Sequence, residues 1–369
     1  MTLFSDDPRR SPTRERRAWA GPAVLFSGVA LVVVLGVAPA PYVIEQPGPV
    51  FDTLGTSEAD GEDVPLISIP DEPTYPTTGT LDMLTVSVVG NPESLPNWVE
   101  IVGAWFDRSK AVVPVESIFP RSVTVQERDE ANQAEMTDSQ QEAIAVALTE
   151  LGYPVAQQVS VVQIPEDSPS VDVLEPGDAV VAVEGAPVSD VAALRDAVQA
   201  SGAGVPVDLT IERDGARQDV QVVPVDSDGA AVIGIVAGLA FDFPFEVDIQ
   251  LNDVGGPSAG MMFALGIIDK LTEGSLNGGE EVAGTGTIDA DGQVGPIGGI
   301  RQKMFGAVAA GADWFLAPAQ NCGEVVGHVP DGIDVLSVAT LDEALAALDG
   351  IASGDVSGLP TCDGATPIG

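Results

Sequence analysis

The sequence predicts an α/β unit in which strands alternate with helices, a separate β-rich α+β unit, and one transmembrane helix near the N-terminus. Three observations predict it. No residue between Arg17 and Glu45 is charged. Short β-branched runs separated by glycine turns crowd residues 159–225. On both sides of that stretch, strand-like alternation gives way to helical spacing: residues 79–89 precede a helix over 139–152, and residues 243–251 precede one that starts near 258.

Composition bounds the function. The chain has 369 residues, 45 % apolar, with 15 Lys plus Arg against 56 Asp plus Glu, a formal charge of −41. At roughly 150 residues per domain this length accommodates two or three domains with their own cores, and disorder as the main state is excluded. A surface this acidic repels a phosphate backbone, so nucleic acid is excluded as a partner. Lysine is scarce: only Lys110, Lys270 and Lys303 occur, and none precedes Ser or Thr. No Walker A loop can therefore be written, and any ATP-driven step would need another protein.

The basic residues are unevenly placed. Arg9, Arg10, Arg14, Arg16 and Arg17 stand before the uncharged segment, whereas from Glu45 onward ten basic residues face 53 acidic ones. About 20 apolar residues span a bilayer as a helix, and arginines flank the cytoplasmic end. The expectation is a cytoplasmic stub over 1–17, a single-pass anchor over 18–44 and an extracytoplasmic remainder. The alternative is a cleaved signal with its site at Ala38-Pro39-Ala40, which Pro41 in the first mature position disfavours.

After the anchor, Gln46-Pro47-Gly48-Pro49 reads as an extended, turn-rich exit, and residues 45–78 as a linker with a short strand at 66–69. Residues 79–89 alternate as a strand, 94–105 look helical, and the sequence from Ser139 places Ala143, Val146, Ala147 and Leu151 on one helical face ending at Gly152. Residues 155–226 form the β-rich unit, with a helix carrying Leu194 and Val198 and turns at Glu184-Gly185 and Asp214-Gly215. Its phrase SPSVDVLEPGDAVVAVEGAPV, residues 168–188, resembles PDZ domains of bacterial proteases. The resemblance implies capture of an extended peptide by strand addition, with the carboxylate-binding loop near 162–164. A small β unit that only spaces its neighbours is the structural alternative.

The chemistry concentrates further on. Residues 252–260 read NDVGGPSAG, placing Ser258 between a strand and an apolar helix. Orphan amides, a positive dipole end and the loop of Gly255, Gly256, Pro257 and Ala259 suit a serine nucleophile with an oxyanion hole, although serine is also a common helix cap. The second element is a strand pair over 285–294 joined by an Asp-Gly turn, followed by Gly295-Pro296-Ile297-Gly298-Gly299 and a helix over 300–310. Lys303 falls on the apolar stripe of that helix, with Arg301 and Gln302 directed elsewhere. A desolvated lysine is neutral and can take a proton from a hydroxyl, whereas a lysine that snorkels to the surface cannot. With His328 the single histidine, a Ser-Lys pair fits better than a Ser-His-Asp triad.

GGPSAG followed by TGTIDADGQVGPIGGIRQK resembles the proteolytic domain of the Lon protease family, and the layout resembles membrane-anchored, PDZ-containing Lon-like serine proteases that lack the ATPase domain. The resemblance implies Ser258 as nucleophile, Lys303 as general base and Thr285 as the threonine that orients the amine. It also implies a discontinuous α/β Lon-type domain over 79–152 and 233–348 with the PDZ domain inserted, a tail over 349–369, and a hexameric ring. The expected activity is an ATP-independent serine endopeptidase acting on exported or unfolded polypeptides. The competing expectation is a non-catalytic, membrane-tethered PDZ adaptor.

No cofactor or metal is expected. Cys322 and Cys362 with His328 cannot complete a tetrahedral zinc site. Asp289-Ala290-Asp291-Gly292 lacks the remaining ligand positions of a calcium loop. In an oxidising compartment the two cysteines either form a disulfide or stand as free thiols.

Overall fold

A computed structural model of the chain describes residues 24–29, 36–59, 62–251 and 254–367. The stub over 1–17 and residues 18–23 and 30–35 of the expected anchor lie outside these residues. Among the described residues, no helix is long and apolar enough to cross a membrane. The C-terminal end of the expected anchor needs correction. Ala40 and Val43 are fully buried, and Tyr42 already begins a strand of the main sheet.

In chain order the first part contains β1 (Tyr42–Asp52), β2 (Thr80–Val89), the helix Trp98–Trp105, β3 (Ala111–Pro114) and the long helix α1 (Val125–Glu150). The β-rich unit follows with β4 (Ala156–Gln163), β5 (Ala179–Val183), α2 (Val191–Ser201), β6 (Val207–Arg213), β7 (Ala216–Val222) and β8 (Val236–Asp242). The last part holds α3 (Gly260–Leu271), β9 (Glu281–Gly284), α4 (Ile300–Ala310), β10 (Trp314–Pro318), β11 (Asp334–Val338) and α5 (Leu341–Ser353).

The first and last parts share one six-stranded sheet in the order β11-β10-β9-β2-β1-β3. Its β11, β10, β9 and β2 run parallel, while β1 is antiparallel to both β2 and β3. Both faces are covered. Along β10, Leu316 enters a core with α1, α3 and α5, while Phe315 and Ala317 enter a second core with α4. Helix α3 is buried from Gly260 to Asp269, which explains why its sequence is apolar on every side.

Residues 45–78 are therefore not a linker. Ile44 to Asp52 pair with Val89 to Asp82, and the register shifts between Pro47 and Val50. Prolines lack the donor that a regular ladder needs, so the Pro-Gly-Pro run that read as a turn is accommodated as a bulge in β1. Ile67–Ser68 then pairs with Asp248–Ile249. Within 243–251 only those two residues form a strand, extended by the Gln250 N–H donating to the Leu66 carbonyl at 2.8 Å.

The β-rich unit also runs further than 226. Its sheet has the order β7-β6-β5-β4-β8, and β4 and β8 pair antiparallel from Ala156↔Asp242 to Gln163↔Val236. Without β8, one whole edge of β4 would be bare. The expected boundary at 233 therefore separates strands that are hydrogen-bonded to each other. The expected loop at 162–164 also fails, since Gln163 lies within that ladder. Val159, Val161, Val180, Leu194, Val198, Leu209 and Ile211 fill a core of their own. Arg213 closes it from the side, its Nε and Nη2 each donating to the buried Asp178 carboxylate at 2.6 Å.

The end of the chain is not a free tail. Helix α5 continues to Ser353, Leu359 packs against the larger core, and a disulfide joins Cys322 to Cys362.

Candidate active site

Three elements deliver the site. The nucleophile loop ends at α3, β9 runs out at Thr285, and α4 begins after Gly299, whose φ of 69° turns the chain sharply into the helix. Lys303 occupies the first turn of α4 and is only 2 % exposed. Its Nζ donates to Ser258 Oγ at 2.7 Å and to Thr285 Oγ1 at 2.9 Å. Thr285 Oγ1 in turn donates to the Ser258 carbonyl at 3.0 Å, and the Gly286 N–H reaches the same carbonyl at 2.9 Å. One threonine thus fixes both the backbone of the serine and the amine that faces it.

Ser258 does not cap α3. The N-cap is Ala259, no side chain caps the helix, and the serine hydroxyl instead meets Lys303. Among the described residues, the Ser258 and Ala259 N–H groups meet no protein acceptor. They stand at the positive end of a fully buried helix, available to a developing negative charge.

Burial alone lowers the Lys303 pKa from 10.5 to about 7. A buried ammonium loses its hydration, so the neutral amine is favoured. Arg301 and Gln302 were expected to point away from the core, but Gln302 is buried as well. Helix α4 is enclosed on more than its apolar stripe, which makes the lysine more deeply desolvated than the periodicity implied.

Helix α1 supports the nucleophile loop from outside the motifs. Ser139 Oγ donates to the Pro257 carbonyl at 3.0 Å, and the Gly256 N–H donates to the Asn132 carbonyl at 2.8 Å. A Cβ on Gly260 would lie 2.7 Å from Ser139 Oγ, so glycine is required for this close approach. Sequence reasoning missed Ser139 and Asn132. The one available signal was a hydroxyl in an otherwise apolar helical face.

Ser258 and Lys303 open into a cleft of about 480 Å³ that is also lined by Pro49, Met83 to Ser87, Met136, Val254, Gly255, Pro257 and Ala259. Gly255, Pro257 and Ala259 thus flank the serine as expected, while Gly256 supplies a turn with φ 88°. The parallel pairing of β2 with β9 stops at Met83, so among the described residues the edge of β2 facing Ser258 carries no partner strand beyond that residue. The cysteine pair lies away from the cleft, in the core under α4.

Residues 253–349 match the Lon protease (S16) C-terminal proteolytic domain, and residues 124–223 match a PDZ domain. The PDZ match begins at the start of α1, a helix that packs on α3, and it stops short of β8. A Lon protease of Geobacter metallireducens is 36 % identical over 117 residues, covering 29 % of this chain and 14 % of that protein. Lon protease 2 of Herpetosiphon aurantiacus is 42 % identical over 93 residues, covering 24 % and 11 %. Lon protease 2 of Bacillus subtilis is 35 % identical over 107 residues, covering 28 % and 19 %. The chain spans less than a fifth of the length of these curated relatives. Among solved structures, the PDZ domain of an SdrC-like protein from Listeria monocytogenes is 22 % identical and aligns over 22 % of this chain and 86 % of that one, with a TM-score of 0.21.

Proposed function

We propose that the Lon-type proteolytic unit of this chain works without ATP as a serine endopeptidase, with Ser258 as nucleophile and Lys303 as general base. The observation that carries the reading is the 2.7 Å contact between a fully buried amine and the serine hydroxyl. Neutral Lys303 takes the proton as Ser258 Oγ attacks the scissile carbonyl. The Ser258 and Ala259 N–H groups hold the oxyanion, and protonated Lys303 then gives its proton to the departing amine. In the second half, water loses a proton to Lys303 and displaces the acyl group, which restores the hydroxyl. Thr285 keeps the amine aimed at Ser258 throughout. The substrate backbone lies extended along the open edge of β2 from Leu84 to Ser87.

The apolar segment before Ala40 anchors the chain in a membrane, with the stub over 1–17 in the cytoplasm and the folded part from Ala40 onward outside it. The β-rich unit is an insertion between α1 and α3 that presents polypeptides to the cleft. Its docking edge is β8, the terminal strand of its sheet, which packs beside α2. Gly234 precedes β8 with φ 69°, and the Ser168 and Ser170 hydroxyls both bind the Ile233 carbonyl. That Ile233-Gly234-Ile235 turn is the place where backbone amides receive a terminal carboxylate.

Turnover of an unfolded protein by the full chain, beside Ser258→Ala and Lys303→Ala, tests the reading. Loss of turnover in both variants supports it. Equal turnover in all three overturns it.

A further inference from the structure

The helix Trp98–Trp105 uses only part of its surface. Ile101 and Ala104 are buried against Ala40 and Ile44, and Trp98 stands edge-on to Tyr42 with ring centroids 6.0 Å apart. The remaining arc carries Val99 at 54 % exposure, Val102 at 43 %, Trp105 at 59 % and, just past the end, Phe106 at 85 %. At 100° per residue these four fall within one continuous sector of about 120°. An apolar sector of this width on a surface helix normally covers something.

The position of the helix names the occupant. Its N-cap Asn97 forms a backbone bridge with Pro39, and the Ala40 N–H donates to the Pro96 carbonyl at 2.8 Å. The helix is therefore fastened at the point where the uncharged segment between Arg17 and Glu45 enters the folded part. Exposed Val37 lies two residues before that point. Charge agrees with the position. The region after Glu45 has a large acidic excess, yet Glu100 and Asp107 are balanced by Arg108 and Lys110 within 98–114. A segment of zero formal charge meets an anionic headgroup layer without net repulsion.

We propose that the helix Trp98–Trp105 with Phe106 lies in the bilayer interface and seats the folded unit on the lipid surface. This rests on the reading given above that the apolar segment before Ala40 is a membrane anchor. Trp105 and Phe106 enter the headgroup boundary, as aromatic side chains do in interfacial helices. The same strand links this seat to the cleft. From Tyr42 to Pro49 along β1 the chain rises about 24 Å at about 3.4 Å per residue. The cleft is thus held no further than that above the membrane, within reach of polypeptide segments that flank other membrane spans.

The test uses the full chain reconstituted in phosphatidylcholine and phosphatidylglycerol vesicles, with acyl chains either plain or brominated near the headgroup. Flotation with the vesicles reports the anchor. The emission difference between the unaltered chain and Trp105→Phe isolates Trp105. The expected result is flotation, with an about twofold loss of the Trp105 emission in brominated vesicles. A Val102→Glu, Phe106→Glu variant should float and melt like the parent while its Trp105 keeps full emission. Flotation with unquenched Trp105 overturns the seat and leaves the anchor standing. Failure to float overturns both. If Trp105 is unquenched and the double glutamate variant forms smaller species in detergent, the face is a contact between copies of the chain.

Discussion

Replacing Lys303 with methionine keeps an unbranched side chain one atom shorter and removes its amine, which isolates the cost of burying that amine. The pKa falls from 10.5 to about 7 through burial alone. At about 1.4 kcal/mol per pH unit the drop corresponds to about 5 kcal/mol against the charged form in the fold. The sign follows from where the proton sits. Between pH 7 and 10.5 the unfolded chain holds it and the native chain does not, so native stability rises with pH across that window. Below about pH 7 the full penalty is present. The stability of the native-lysine chain relative to Lys303→Met should therefore gain about 2 kcal/mol between pH 7 and pH 9, the native amine being half-protonated at the lower value. Urea unfolding at the two pH values measures it, with Ser258→Ala in both arms to prevent self-cleavage. All other titrating groups cancel in the comparison. A difference that does not change with pH would refute the burial of a neutral amine, and with it the proposed base.

Thr285→Ser should keep turnover, while Thr285→Val, which removes the hydroxyl bonds to Lys303 and to the Ser258 carbonyl, should lower kcat about 10- to 100-fold in steady-state peptide cleavage. Ser139→Ala releases the Pro257 carbonyl and should lower kcat about 5-fold with the melting temperature nearly unchanged. Burial first, then the charges of Asp289 and Asp138, raise the Glu142 pKa from 4.5 to about 7. Its ionisation costs stability as pH rises from 4.5 to 7, so Glu142→Gln should raise the melting temperature at pH 8 and not at pH 4. Arg213→Leu leaves the Asp178 carboxylate with only the Glu175 N–H as donor and should destabilise the β-rich unit, read as faster amide exchange over 156–242 than in the parent.

The two motif segments were legible because each carries its own local signal. Ser258 stands between glycines and an apolar helix, and Lys303 is a rare lysine on an apolar stripe. The junctions were harder to read. Pro47, Gly48 and Pro49 have turn composition, yet β1 holds them as a bulge because β2 supplies a long ladder on one side and β3 pairs with the strand on the other. Helix α1 begins at Val125, although residues 125–138 lack a hydrophobic period. The Thr124 and Glu127 capping box was the signal available there. Strand β8 was assigned to the wrong unit because pairing with β4 is a long-range choice that no local pattern encodes. Ser139 was invisible as a support because its partner, the Pro257 carbonyl, is 118 residues away.

The central claim is that buried, neutral Lys303 activates Ser258. A fluorophosphonate probe tests it without reference to substrate, since the probe phosphonylates only an activated hydroxyl. Intact-mass and peptide mapping of the full chain should find one adduct, on Ser258, whose rate of formation rises with a single proton loss near pH 7 and falls to background in Lys303→Ala. An adduct elsewhere, or equal labelling of Ser258 in the presence and absence of Lys303, would contradict the account.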